Sequence, residues 1–167
     1  MKNKVEKKQI DVYFDTYSES HQNPVNKFIH WICVPLILFS IIGLVTAIPF
    51  PNLEFLGQYK TYLNWFSFLM AAVIYYYFNI SRVLAFLMIL VISGMYYFII
   101  LLERVEQNGG PALWQVSLGI FVAAWIGQFI GHKIEGKKPS FLDDLKFLLI
   151  GPIWLLHFIC KKVGLPY

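Results

Sequence analysis

Four uncharged stretches decide what this chain can fold into. Phe28–Phe50, Thr61–Ser81, Val83–Leu102 and Gln107–Gly131 contain no Asp, Glu, Lys or Arg. Each approaches or exceeds the roughly 20 residues an α-helix needs to cross a bilayer. Lipid cannot hydrogen-bond a bare backbone, so such segments must be helical. Composition agrees: 57% of the 167 residues are hydrophobic and only 14% are charged, an apolar surplus that a soluble domain does not need. The sequence therefore predicts an all-α polytopic membrane bundle forming one domain over residues 1–167. Its expected parts are a cytoplasmic amphipathic segment at 1–22, spans at 23–50, 61–81, 83–102 and 107–131, and a short fifth segment at 145–160.

That fifth segment, Phe147 to Cys160, is short for a crossing and has Gly151-Pro152 within it. Gly-Pro breaks or kinks a helix, so a re-entrant hairpin or an in-plane helix is expected, with a tilted fifth span as its rival. The first 27 residues are polar and charged, without the apolar core of a signal peptide, so the first span is expected to be retained.

Basic residues sort by loop. Lys2, Lys4, Lys7, Lys8 and Lys27 precede span one, Arg82 sits between spans two and three, and Lys133, Lys137, Lys138 and Lys146 follow span four. The opposite connections hold only Lys60 and Arg104, the latter close to Glu103 and Glu106. The positive-inside rule then puts both termini in the cytoplasm. With no retrieval signal at the C-terminus, a bacterial inner membrane is expected rather than an endoplasmic reticulum. The net charge of +4 reports orientation and contact with anionic membrane lipid. No basic helix with interleaved aromatics lies outside the spans, so no nucleic-acid partner is expected. Cys33 and Cys160 have neither disulfide nor zinc spacing and read as packing residues.

Within residues 1–20, Val5, Gln9, Val12, Tyr13, Thr16 and Tyr17 form a weak stripe. Asn23-Pro24 is a stronger signal: Asn is a preferred N-cap and Pro is favoured at the first helical position, so a helix should start there. Pro35 should kink it.

Two polar stripes interrupt the apolar pattern near one membrane face. Asn23, Asn26 and His30 stand at i, i+3 and i+7, and Gln128, His132 and Glu135 at i, i+4 and i+7, so each set shares one helix face. His21 lies just before the first stripe. Imidazole is the commonest metal ligand and is costly in lipid, so histidines gathered at one depth point to a metal site. Asn and Gln can hold a metal-bound water or orient an imidazole. Glu135 is a candidate ligand, orienter of His132 or general base. Three imidazoles without a thiolate suit iron(II) or zinc, and residue types alone do not choose between them. Interfacial histidines also bond water or carbonyls without any metal, which suits a non-enzymatic transporter or assembly factor. A zinc-dependent lipid hydrolase is a further alternative. Paired His30 and His132 would also suit a haem or quinone. His157 reaches the cluster only if the fifth segment returns as a hairpin.

At these stripes the sequence resembles a known family. His21-Gln22-Asn23-Pro24-Val25-Asn26-Lys27-Phe28-Ile29-His30 with Val34-Pro35 carries the likeness. So does Trp125-Ile126-Gly127-Gln128-Phe129-Ile130-Gly131-His132, followed by Glu135, Pro139 and Asp143. Both are similar to motifs of the membrane family typified by the fungal 2-hydroxy fatty acid dioxygenase of phytosphingosine breakdown. The resemblance covers essentially the whole chain. It implies an iron(II)-dependent oxidoreductase of fatty acid α-oxidation, taking a long-chain 2-hydroxy fatty acid and O₂. Such an enzyme cleaves C1–C2 and releases CO₂ and an acid one carbon shorter, without 2-oxoglutarate. On the matching positions it implies His21, His30 and His132 as Fe(2+) ligands, with Asn23, Asn26, Gln128 and Glu135 around them. The chain departs from the fungal form in a one-residue shorter spacing after His132, and in offering His157 near where that form has a late Glu.

Overall fold

The structure, a computed structural model, describes residues 8–51, 54, 57, 63–136 and 147–167. Among them are six helices and no strand: α1 (Gln9–Glu19), α2 (Pro24–Thr46), α3 (Trp65–Ile80), α4 (Arg82–Gln107), α5 (Leu113–Glu135) and α6 (Ile150–Val163). Three of them, α2, α4 and α5, are long and apolar enough to cross a membrane.

Helix α2 starts where its cap dictates. Pro24 opens it, and the Asn23 side chain accepts the Val25 N–H at 2.9 Å. It runs on through Pro35, which has no N–H to offer the Trp31 carbonyl.

Helix α3 is shorter than the expected 61–81 span. Asn64 caps it, accepting the Ser67 N–H at 2.9 Å while Ser67 Oγ accepts the Asn64 N–H at 3.2 Å. The 16 residues that remain measure about 24 Å, against about 30 Å of hydrocarbon. Thr61 and Tyr62 lie outside the described residues.

The boundary between the last two spans also moves. Glu103, Arg104 and Glu106 continue α4 as helix, and the turn follows at Gly109, whose φ of +88° suits glycine. Glu106 then accepts the Leu113 N–H at 2.9 Å, so α5 begins at Leu113 and not at Gln107. At its other end α5 passes Gly131 and stops at Glu135, before Gly136 at φ +74°.

Two expectations near the termini are corrected. The buried face of α1 is Ile10, Phe14 and Tyr17, so of the expected stripe Tyr17 is buried and Val12 is exposed, because α1 packs on α6. Val5 lies outside the described residues. Gly151-Pro152 does not break α6 but sits in its first turn, where Pro removes an N–H that has no intrahelical partner. Ile150 to Leu155 are buried, so α6 is packed into the protein along its first half. The described segment is one continuous helix of 14 residues, not a hairpin.

The closest seam runs between α2 and α5. A Cβ at Gly127 would stand 2.6 Å from Cys33 Sγ, and one at Gly131 would collide with Asn26 Oδ1. Glycine at those two positions lets the helices approach, as small residues do in membrane bundles. The two ends that meet are the start of α2 and the end of α5, which hold the two polar stripes. Helices α1 and α6 close over this end. The indole Nε1 of Trp154 donates to Ser18 Oγ at 2.9 Å, and Tyr17 packs edge-on against Trp154 at 5.0 Å.

Candidate metal centre

The fold brings His21, His30 and His132 together. Each offers a ring nitrogen, and these ligand atoms lie within 4.8 Å of one another. The rings are 1–2% exposed, so the cluster is shut off from bulk water. His30 projects from the second turn of α2, His132 from the last turn of α5, and His21 from the turn after α1.

Hydrogen bonds fix which nitrogen faces inward. His21 Nδ1 lies 2.6 Å from the Tyr17 carbonyl and His30 Nδ1 lies 3.0 Å from the Asn26 carbonyl. A carbonyl only accepts, so each Nδ1 carries the proton and each Nε2 keeps its lone pair. Burial pushes the His21 imidazole down to about 4, so it is neutral at pH 7. The Tyr17 ring stacks on it at 4.2 Å and 14°.

His21 Nε2 is buried and has no hydrogen-bond partner among the described residues. Leaving such an acceptor unpaired costs about 1–3 kcal/mol. A cation held between the three rings removes that cost, and neutral imidazoles with inward lone pairs are the donors it needs. The residues present therefore fit a metal ion.

Glu135 lies outside the ligand set. Its Oε1 accepts the Gln22 N–H at 2.7 Å, and its Oε2 accepts the Asn23 N–H at 2.9 Å and the Asn26 amide at 3.0 Å. It is a clasp between the end of α5 and the start of α2, where an anion also meets the positive end of a helix. Asn23 spends its side chain on the helix cap. Asn26 is fully buried; its amide also donates to the Ser20 carbonyl at 3.1 Å. These residues bond one another and the backbone next to His21 and His30.

His157 is not part of the cluster. Its ring packs on Phe14 at 4.6 Å and its Nδ1 is hydrogen-bonded to the Tyr167 hydroxyl. Lys133 is exposed at the end of α5; Lys137, Lys138, Pro139 and Asp143 lie outside the described residues.

An apolar cavity of about 140 Å³ is lined by residues one turn from the histidines, and by none of the histidines themselves. Tyr17, Val34 and Gln128 line its near end. Tyr17 stacks on His21, Val34 is one turn beyond His30, and Gln128 is one turn before His132. Tyr17 and Gln128 bring a hydroxyl and an amide; apart from the Trp125 indole, the other walls are apolar. Sequence reading missed Tyr17 and Trp154 as site residues. The signal available was that Tyr17 precedes His21 by one helical turn.

The fold and site together define a helical bundle with three candidate membrane spans, a buried three-histidine cluster and an apolar cavity one helical turn from it. Comparison with known proteins narrows it: the chain belongs to the Mpo1-like family, described as 2-hydroxy-palmitic acid dioxygenase Mpo1-like, whose family model matches residues 7–163. It is 29% identical over 150 residues to the 2-hydroxy-palmitic acid dioxygenase MPO1 of Saccharomyces cerevisiae, covering 89% of this chain and 78% of that one. No solved structure matches the chain.

Proposed function

We propose that this protein is an iron(II)-dependent dioxygenase that shortens long-chain 2-hydroxy fatty acids by one carbon. The reaction consumes the 2-hydroxy acid and one O₂, breaks C1–C2, and yields the shorter acid, CO₂ and water. Atoms and electrons balance without a reducing co-substrate. The observation that carries the reading is the buried three-histidine cluster with an apolar cavity one helical turn away, in a chain of the Mpo1-like family.

His21, His30 and His132 would hold the ion, which supplies O₂ activation when bound. Three neutral imidazoles bring no negative charge, so the centre favours an anionic partner. The carboxylate of the substrate head is one, and the adjacent hydroxyl would offer a second oxygen donor. Three protein ligands leave coordination positions for both. Tyr17, stacked on His21, and Gln128, one turn before His132, line the cavity and would hydrogen-bond the head and fix the C1–C2 bond. Positioning of this kind lowers a barrier by several kcal/mol. The cavity takes the tail, each buried CH₂ contributing about 0.8 kcal/mol. Burial excludes water from the reacting centre.

Both termini on the cytoplasmic side is the accompanying topology, supported by the lysine distribution and by the start of α2 meeting the end of α5. The test is product analysis. Purified protein loaded with iron(II), given 2-hydroxypalmitate in air, should release pentadecanoic acid and CO₂ in equal amounts. Zinc-loaded protein should release neither.

A further inference from the structure

The cavity beside the histidines has a far end, and its construction is specific. The Trp65 indole Nε1 donates to the Pro49 carbonyl at 3.1 Å, which ties the start of α3 to the chain just beyond α2. Phe66 therefore lies at the opposite end of α2 from His30. Ile42, Met70 and Ile92 line the cavity with it. The α2 residues that line the cavity run from Val34 to Ile42, eight residues or about 12 Å. With the turn from His30 to Val34 added, a head at the histidines stands about 18 Å from Ile42, the length scale of a long extended acyl chain and more than half the hydrocarbon thickness.

Phe66 is also braced. It stacks on Tyr96 at 4.5 Å and 17°, and the Tyr96 hydroxyl accepts the Asn64 amide at 3.1 Å. It is 7% exposed. A ring pinned on its far face by a second ring, itself hydrogen-bonded to the cap of the same helix, is a wall that does not yield to a longer ligand.

We propose that Phe66, backed by Tyr96, is the stop that sets acyl chain length, with Met70 and Ile92 as the side walls of that end. The proposal rests on the tail occupying this cavity with its head at the histidines. An adjacent apolar groove, lined by Phe121, Trp125 and Phe129 on α5, is the rival path for the tail.

The experiment measures binding as well as turnover. Displacement of a fluorescent fatty acid from the purified full chain, over saturated 2-hydroxy acids from 2-hydroxylaurate to 2-hydroxylignocerate, gives a length profile that needs no activity. Phe66→Ala should move the optimum to longer acids, raising the preference for the longest over 2-hydroxypalmitate about ten-fold. Met70→Trp should move it to shorter acids by a similar factor. Phe121→Ala should leave the profile of the native chain intact. Opposite shifts cannot come from destabilisation, which lowers all lengths alike. If Phe66→Ala and Met70→Trp leave the profile unmoved, or lower all lengths equally, the stop is not Phe66. If Phe121→Ala moves the profile instead, the tail takes the other groove. Profiles that shift as expected in a protein yielding no shortened acid would keep the length stop and overturn the dioxygenase reading.

Discussion

Glu135 and Asn26 meet at 3.0 Å, carboxylate to amide, across 109 residues of chain. His132 is one turn before Glu135 on α5, and the Asn26 carbonyl accepts the proton of His30 Nδ1 on α2. This hydrogen bond therefore joins the two helix ends that carry His30 and His132. The carboxylate also gathers the Gln22 and Asn23 N–H groups, which lie next to His21. Glu135 thus links the segments that carry all three histidines.

Glu135→Ala should thus lose metal before it loses fold. It leaves the buried Asn26 amide one acceptor short, at a cost of about 1–3 kcal/mol. The melting temperature in detergent should fall by several degrees, roughly 2–4 °C per kcal/mol for a chain of this size. Iron per chain should fall well below that of the native protein. Glu135→Gln keeps an acceptor oxygen and should lie between the two. Metal content unchanged in Glu135→Ala would show that the clasp does not position the site.

Gly131→Ala tests the helix approach. The added methyl meets Asn26 Oδ1, a buried group hemmed in by α2. Either Asn26 moves, losing its bond to Glu135, or α5 retreats. Both separate His30 from His132, so iron binding should weaken by about ten-fold or more, with a stability loss of about 1–3 kcal/mol from overpacking. Equilibrium metal titration reads the first and thermal melting the second.

The four histidines should divide three to one. Alanine at His21, His30 or His132 should each remove most bound iron, because two imidazoles do not replace three. His157→Ala should keep its iron, since its ring packs on Phe14 and pairs with Tyr167 away from the cluster. Its penalty should be in stability alone. Loss of iron in His157→Ala beyond that of any folding defect would contradict the assignment.

Tyr17 should separate stacking from hydrogen bonding. Tyr17→Phe keeps the ring over His21 and should retain metal while weakening turnover of the anionic substrate. Tyr17→Ala removes the stack and should lower metal content too. Measuring kcat and iron per chain for both variants distinguishes the two roles.

Much of this site was legible in the sequence because it obeys local rules. Asn23-Pro24 marked the start of α2 correctly, and the i, i+3, i+7 and i, i+4, i+7 spacings placed His30 and His132 on single helix faces. Their meeting followed from apolar stretches that alternate in direction. Boundaries were less legible where a side chain makes the cap. Asn64 trims α3, and Glu106 delays α5 to Leu113, and neither effect is visible in hydropathy. The buried face of α1 was read only in part: Tyr17 stood in the stripe, while Ile10 and Phe14 did not, because burial there comes from α6, a long-range partner. Gly151-Pro152 read as a break because its meaning depends on position, and in the first turn proline is tolerated. Glu135 carried three candidate roles in sequence; only the fold could show its oxygens already taken by α2.

Counting products decides whether this protein is a dioxygenase. Iron(II)-loaded protein in lipid nanodiscs, supplied with 2-hydroxypalmitate and ¹⁸O₂, should yield pentadecanoic acid carrying label and CO₂ in a one-to-one ratio, and His132→Ala should yield neither. Iron-loaded native protein that leaves the 2-hydroxy acid intact, or His132→Ala matching its yield, would contradict the account.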